Sequence, residues 1–117
     1  MLQIIPDELL RRIRSAFVQG KYILTDHAYE RIAERKITPQ ELRLLVLEGE
    51  AIEVRQAPDD SLATVVLFSG HTKSARPLHV VVAEVQTGRQ KHFVVTVYEP
   101  DLDQWESGFT IRRRGEV

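Results

Sequence analysis

The chain has 117 residues, 43% of them hydrophobic, with no cysteine and a formal charge of −1. That length and composition describe one domain with enough apolar mass for its own core, and the missing thiols exclude disulfides, cysteine nucleophiles and thiolate metal centres. The near-zero charge excludes a uniformly basic nucleic-acid binder.

Arginines nevertheless gather locally, at Arg11, Arg12 and Arg14, at Arg31 and Arg35, and at Arg112-Arg113-Arg114. The last triplet reads as solvated surface or tail. The opening residues carry no basic stretch followed by an apolar run, and no later apolar run is long enough to cross a bilayer. A soluble cytoplasmic protein is expected.

Helices come first. Pro6-Asp7-Glu8 is a helix start, with acids near the positive end of the dipole. Leu9, Leu10, Ile13, Ala16 and Phe17 form its apolar stripe, and Gly20 stops it. A short extended piece, Tyr22-Ile23-Leu24, leads to Thr25 or Asp26 as the cap of a second helix running to about Lys36. Thr38-Pro39-Gln40-Glu41 is a capping box with proline at the first helical position, opening a third helix through Leu42, Leu45 and Val46 to Gly49.

The period then changes to two. Strands are expected at Ala51 to Arg55, Leu62 to Ser69, Leu78 to Val85 and Lys91 to Tyr98, separated by turns at Ala57-Pro58-Asp59-Asp60 and Gln86-Thr87-Gly88-Arg89. Helices followed by strands with short loops indicate an α+β domain: two or three N-terminal helices on one face of a four-stranded, mainly antiparallel sheet. The whole chain reads as one domain over residues 1–117, with a peripheral tail from residue 106.

In the last strand, Phe93, Val95 and Val97 form an apolar side expected to face the core opposite Leu78, Val80 and Val82. The other side then gathers His79, Val81, Ala83, His92, Val94, Thr96 and Tyr98, a mixed face suited to holding a substrate. In the second helix His27, Arg31 and Arg35 recur at every fourth residue and lie along one flank. At about 100° per residue, Ala28, Tyr29, Ile32 and Ala33 make its buried stripe, which places Arg35 at the boundary of burial. His27 falls in the first turn, where the helix dipole disfavours the imidazolium and leaves a ring able to act as a base.

Tyr22-x-Leu24-Thr25-x-His27-Ala28-x-Glu30-Arg31-x-x-Glu34-Arg35-x-Ile37-Thr38, then Gly49-Glu50, Arg76-Pro77-Leu78-His79-Val80 and Thr96-Val97-Tyr98-x-Pro100-Asp101-x-x-x-Trp105, together resemble the bacterial family of domain of unknown function 4258. The likeness spans about residues 20–105. That family is in turn similar, in its order of helices and strands, to the RelE-like and BrnT-like toxin ribonucleases, a likeness of fold rather than of site. The resemblance implies a small α+β domain, metal-independent mRNA cleavage and an antitoxin protein as partner.

Cleavage by the RNA's own 2′-hydroxyl needs a base, an acid and positive charge against the phosphate. In this reading His27 is the base, Tyr98 or His79 the acid, and Arg31 with Arg35 the clamp. His92 and Thr96 line the substrate face, and Tyr29 or Trp105 stacks a base. The competing reading is a non-catalytic protein- or nucleic-acid-interaction module in which the same residues hold the fold. The two differ at Arg31: a functional guanidinium opens into a pocket, and a structural one ends on a carboxylate. His27, His71, His79 and His92 show no ligand spacing, so neither a metal nor a cofactor is expected.

Overall fold

The computed structural model describes residues 4–57, 62–86 and 88–113. The elements run in the order α1 (Asp7–Val18), β1 (Ile23–Leu24), α2 (Asp26–Glu34), α3 (Pro39–Glu48), β2 (Glu50–Gln56), β3 (Ala63–His71), β4 (Pro77–Val85) and β5 (Lys91–Tyr98). The turn read at Pro58 to Asp60, Thr87 of the next turn, and Arg114 lie outside the described residues.

The sheet has five strands in the order β1-β5-β4-β3-β2, all antiparallel except β1, which pairs parallel to β5. The expected four-stranded sheet therefore gains an edge from Ile23 and Leu24, the short extended piece before α2. Three helices cover one face. The α+β class and the helical layer follow the sequence reading. Among the described residues, no helix is long and apolar enough to cross a membrane.

The core forms where the helical stripes meet that face. Leu9, Ile13 and Phe17 of α1, Ala28 of α2 and Leu42, Leu45 and Val46 of α3 pack on Val66, Phe68, Leu78, Val80, Val82, Val94 and Val97. Each large side chain so buried contributes about 1.5–3 kcal/mol. Arg14 ties α1 to the end of α3: its Nε donates to the Val46 carbonyl at 3.1 Å and its Nη2 to the Gly49 carbonyl at 2.9 Å. These carbonyls lie at the helix end, where intrahelical donors run out.

Caps set the helix boundaries. Thr38 and Glu41 form the capping box read from sequence. Gly20 takes φ +71° after α1, with the Lys21 amide donating to the Ala16 carbonyl and the Gly20 amide to Phe17, a Schellman closure. The same closure ends α2, but there the left-handed residue is Lys36 at φ +54°.

One irregularity corrects the expected faces. Val81 pairs with Thr96 and Val82 with Val94, so Val95 is an extra residue in β5, a β-bulge. Beyond the bulge the alternation changes phase. Val97 faces the helices as expected, yet it is Val94 and His92, not Val95 and Phe93, that continue that face: Val94 is fully buried and His92 is 7% exposed. His79, Val81, Ala83, Thr96 and Tyr98 keep the reverse face assigned to them. The bulge is held from α2, whose N-cap Thr25 donates its hydroxyl to the Val95 carbonyl at 3.0 Å and accepts the Ala28 amide at 3.0 Å.

Candidate functional site

The register aligns four polar residues across the helical face at one end of the sheet. Gln56 of β2 pairs with Thr64 of β3, Thr64 with Glu84 of β4, and Glu84 with His92 of β5. On an otherwise apolar face this row is an interruption that must satisfy its own hydrogen bonds. Gln56 Nε2 donates to Thr64 Oγ1 at 3.2 Å. His92 Nε2 lies 2.9 Å from Glu84 Oε2. From α1 above the row, Arg12 clamps the same carboxylate with Nε and Nη2, both at 3.1 Å, and Gln86 adds its amide at 2.9 Å.

Glu84 is 1% exposed, and four donors converge on its two oxygens. Burial pushes its pKa up, but the bonds from Arg12 and His92 outweigh burial and hold it below the ordinary value. A carboxylate so fixed orients the imidazole: Nε2 donates to Glu84, which turns Nδ1 away from it. Nδ1 has no hydrogen-bond partner among the described residues, and His92 lines a hollow of about 300 Å³ with Lys21, Tyr22, Ile23, Arg89 and Lys91. Lys21 and Arg89 thus line the hollow that this carboxylate-backed imidazole borders, whereas Lys91, next to His92 in β5 and paired with Val85, alternates to the reverse face. Arg12 compensates the Glu84 charge, so the dyad adds little negative potential to this basic rim.

On the far side of Glu84 a second hollow, of about 590 Å³, opens between the start of α1 and the ends of β2 and β3. The two hollows share one polar network.

The reverse face carries a different cluster. His79 is fully buried; its Nε2 lies 2.7 Å from the Phe109 carbonyl and its Nδ1 3.0 Å from the Tyr98 hydroxyl. Burial lowers the His79 pKa, against the opposing bond to Phe109, and raises that of Tyr98. Both groups stay neutral at physiological pH, with His79 donating to Phe109 and Tyr98 donating to His79. Ser69 donates to the same Phe109 carbonyl at 3.2 Å. Trp105 meets the His79 ring edge-on at 4.5 Å, and Arg112 covers Trp105 while its Nε and Nη2 grip Glu53 at 2.6 and 3.0 Å. Residues 105–112 thus fold back over the reverse face, and Arg112 is an anchor there while its side chain stays 54% exposed, on the surface as read from the arginine triplet.

These positions separate the residues singled out from sequence. His79, Tyr98 and Trp105 do come together, with Thr96 on the same face, but as the seat of the C-terminal segment; Trp105 is 2% exposed and already faced by Arg112. His92 belongs to the opposite face. α2 packs over that opposite face too, through Ala28 and Ile32. His27 and Tyr29 are exposed on it, and Arg31 ends on Glu34 at 2.8 Å, the outcome expected of a structural arginine. Arg35 is half-buried, and its Nε is buried without a partner among the described residues. Among the described residues, the hollow at Tyr98 is lined by Glu99, Pro100, Asp101, Gln104, Trp105 and Arg112, with no residue of α2.

Sequence reasoning missed Glu84, Arg12, Lys21 and Arg89. A signal for Glu84 was available: it continues the Leu78, Val80, Val82 alternation, so a charged residue stands where the pattern demands an apolar one. Among the described residues, no three histidine or carboxylate groups converge as metal ligands.

No curated protein and no solved structure matches the chain. A family model does match, over residues 24–99, which hold α2, α3 and all four long strands; its description is Domain of unknown function (DUF4258). The row from Gln56 to His92 lies inside that span, and the chain belongs to this family.

Proposed function

We propose that the domain is a metal-independent endoribonuclease whose general base is His92. The observation that carries this reading is the 2.9 Å contact between Glu84 and His92, made beside a hollow rimmed by Lys21 and Arg89. In the reaction His92 Nδ1 takes the proton of a ribose 2′-hydroxyl and the 2′-oxygen forms a bond to phosphorus. The bond from phosphorus to the 5′-oxygen breaks. Water in the open hollow protonates that oxygen, leaving a 2′,3′-cyclic phosphate and a 5′-hydroxyl. Lys21 and Arg89 stabilise the crowded phosphate, and Glu84 stabilises the imidazolium as it forms.

This keeps the reaction class implied by the likeness to RelE-like and BrnT-like toxins, with a cognate antitoxin as protein partner. It moves the chemistry from the α2 row to the opposite end of β5. The Arg31–Glu34 ion pair supports the move, since it engages one nitrogen of that arginine on a carboxylate of its own helix.

The test is RNA cleavage without added metal. His92→Gln keeps an N–H for Glu84 but has no titrating nitrogen, so the rate should fall by roughly 10²- to 10⁴-fold. His27→Ala and Arg31→Ala should cleave within a few-fold of wild type. An inactive wild-type protein, or activity lost in His27→Ala and kept in His92→Gln, refutes the assignment.

A further inference from the structure

We propose that the second hollow, on the far side of Glu84, is a nucleobase pocket. This rests on the reading of the Glu84–His92 end as a site for RNA. The pocket's floor is the polar row, and its walls carry Ile4, Pro6, Leu9 and Val54 with the exposed Glu8 and Arg55 beside them. Gln56 and Thr64 continue the row, Gln86 and Arg12 reach into it from β4 and α1, and Leu9 and Val54 close the sides.

The free valences of these groups have the character of a base edge. Gln56 uses its amide nitrogen on Thr64, and Gln86 uses its own on Glu84. Among the described residues neither amide oxygen accepts a side-chain bond, and the Thr64 hydroxyl proton is uncommitted. Two carbonyl acceptors, remaining amide hydrogens and one hydroxyl donor therefore face a space with aliphatic flanks. A planar heterocycle with alternating donors and acceptors satisfies both features at once: its edge pairs with the amides and its faces lie against Leu9 and Val54.

A purely apolar ligand would strand the amides, and an anion would meet the carbonyl oxygens as readily as Arg12. Since Glu84 bonds to Gln86 on this side and to His92 on the other, a base held here adjoins the phosphate hollow through a single carboxylate. Base identity would thereby be read next to the scissile bond.

The probes are the four ribonucleoside 5′-monophosphates, with ribose 5-phosphate as the baseless control, in titrations followed by NMR. At least one nucleotide should bind with shifts at the Gln56 and Gln86 side-chain amides, and ribose 5-phosphate should leave those amides unmoved. Val54→Trp, which fills the hollow, should weaken that nucleotide by roughly tenfold or more, as a blocked base pocket requires. Gln56→Ala, a change at an exposed side chain that leaves the fold intact, should flatten the preference among the four bases.

Equal shifts from ribose 5-phosphate, or a preference unaltered in Gln56→Ala, overturn the pocket. Cleavage of RNA without any base-dependent binding removes this inference alone. Base-dependent binding at these amides without cleavage of any RNA removes the cleavage reading and leaves the pocket standing.

Discussion

Glu84 and His92 are direct partners in the β4–β5 ladder, and their side chains meet on the helical face of the sheet rather than in solvent. A glutamate at that depth is tolerable only because Arg12 compensates it. Arg12→Met should destabilise the domain by about 2–3 kcal/mol, because it leaves a buried carboxylate short of its main partner, whereas Arg12→Met combined with Glu84→Met should recover much of that loss. The double-mutant cycle, read from urea denaturation, should give a coupling of about 1–3 kcal/mol. A coupling near zero would mean that the clamp is not formed in solution.

Acid should weaken the fold in two stages. Burial depresses the His79 pKa in the folded state, so the unfolded chain binds the proton first; stability is complete above the unfolded value of 6.5 and is lost as pH falls through the folded one. Glu84 is depressed as well, by Arg12 and His92 against burial, so its contribution stands above 4.5 and is lost as pH falls through its folded value. Thermal melts should show a first decline below about pH 6.5 that disappears in His79→Gln, and a second below about pH 4.5 that remains in it. A first decline that persists in His79→Gln would assign it to another group.

Thr25 serves α2 and the bulge with one hydroxyl. Thr25→Val keeps the shape and removes both bonds, and should cost about 1–2 kcal/mol, as the loss of an N-cap does. Amide exchange should quicken at Ala28 and through the first turn of α2. Unchanged protection at Ala28 would show that the cap is dispensable.

Lys36 occupies a left-handed conformation with its side chain in solvent. Lys36→Gly should therefore stabilise the domain by about 0.5–1 kcal/mol, since glycine adopts that conformation without the clash of a Cβ with the following carbonyl. Chemical denaturation of the two proteins measures it, and a loss of stability would contradict the Schellman closure described for α2.

Much of the architecture was legible in the chain. The boundaries of α3 follow from Thr38, Pro39 and Glu41, the end of α1 from Gly20, and the core faces of α1 and β4 from simple periodicity. The fifth strand was not legible as one, because two residues carry too little pattern to separate a strand from a connector. The faces of β5 were misassigned below Val95 because a bulge leaves no mark in a run of valines: both parities of Phe93-Val94-Val95 are apolar. The site suffered from the same ambiguity. His92 was noticed but placed beside Tyr98, and Glu84, its actual partner, was passed over at the end of an apolar alternation. The regular spacing of His27, Arg31 and Arg35 drew attention to α2, yet spacing along a helix does not say where each side chain ends, and Arg31 ends on Glu34 one turn along.

The unpaired valine in the last strand has a further consequence. His92 and Tyr98 sit an even number of positions apart, so an unbroken ladder would aim them the same way; the additional residue sends one inward and the other outward. Deleting Val95 would even out the ladder without reversing either half: Val94 would still meet Val82 and Thr96 would still meet Val81, now as consecutive pairs, so both histidines would keep their sides, and what goes is the carbonyl that receives the Thr25 hydroxyl.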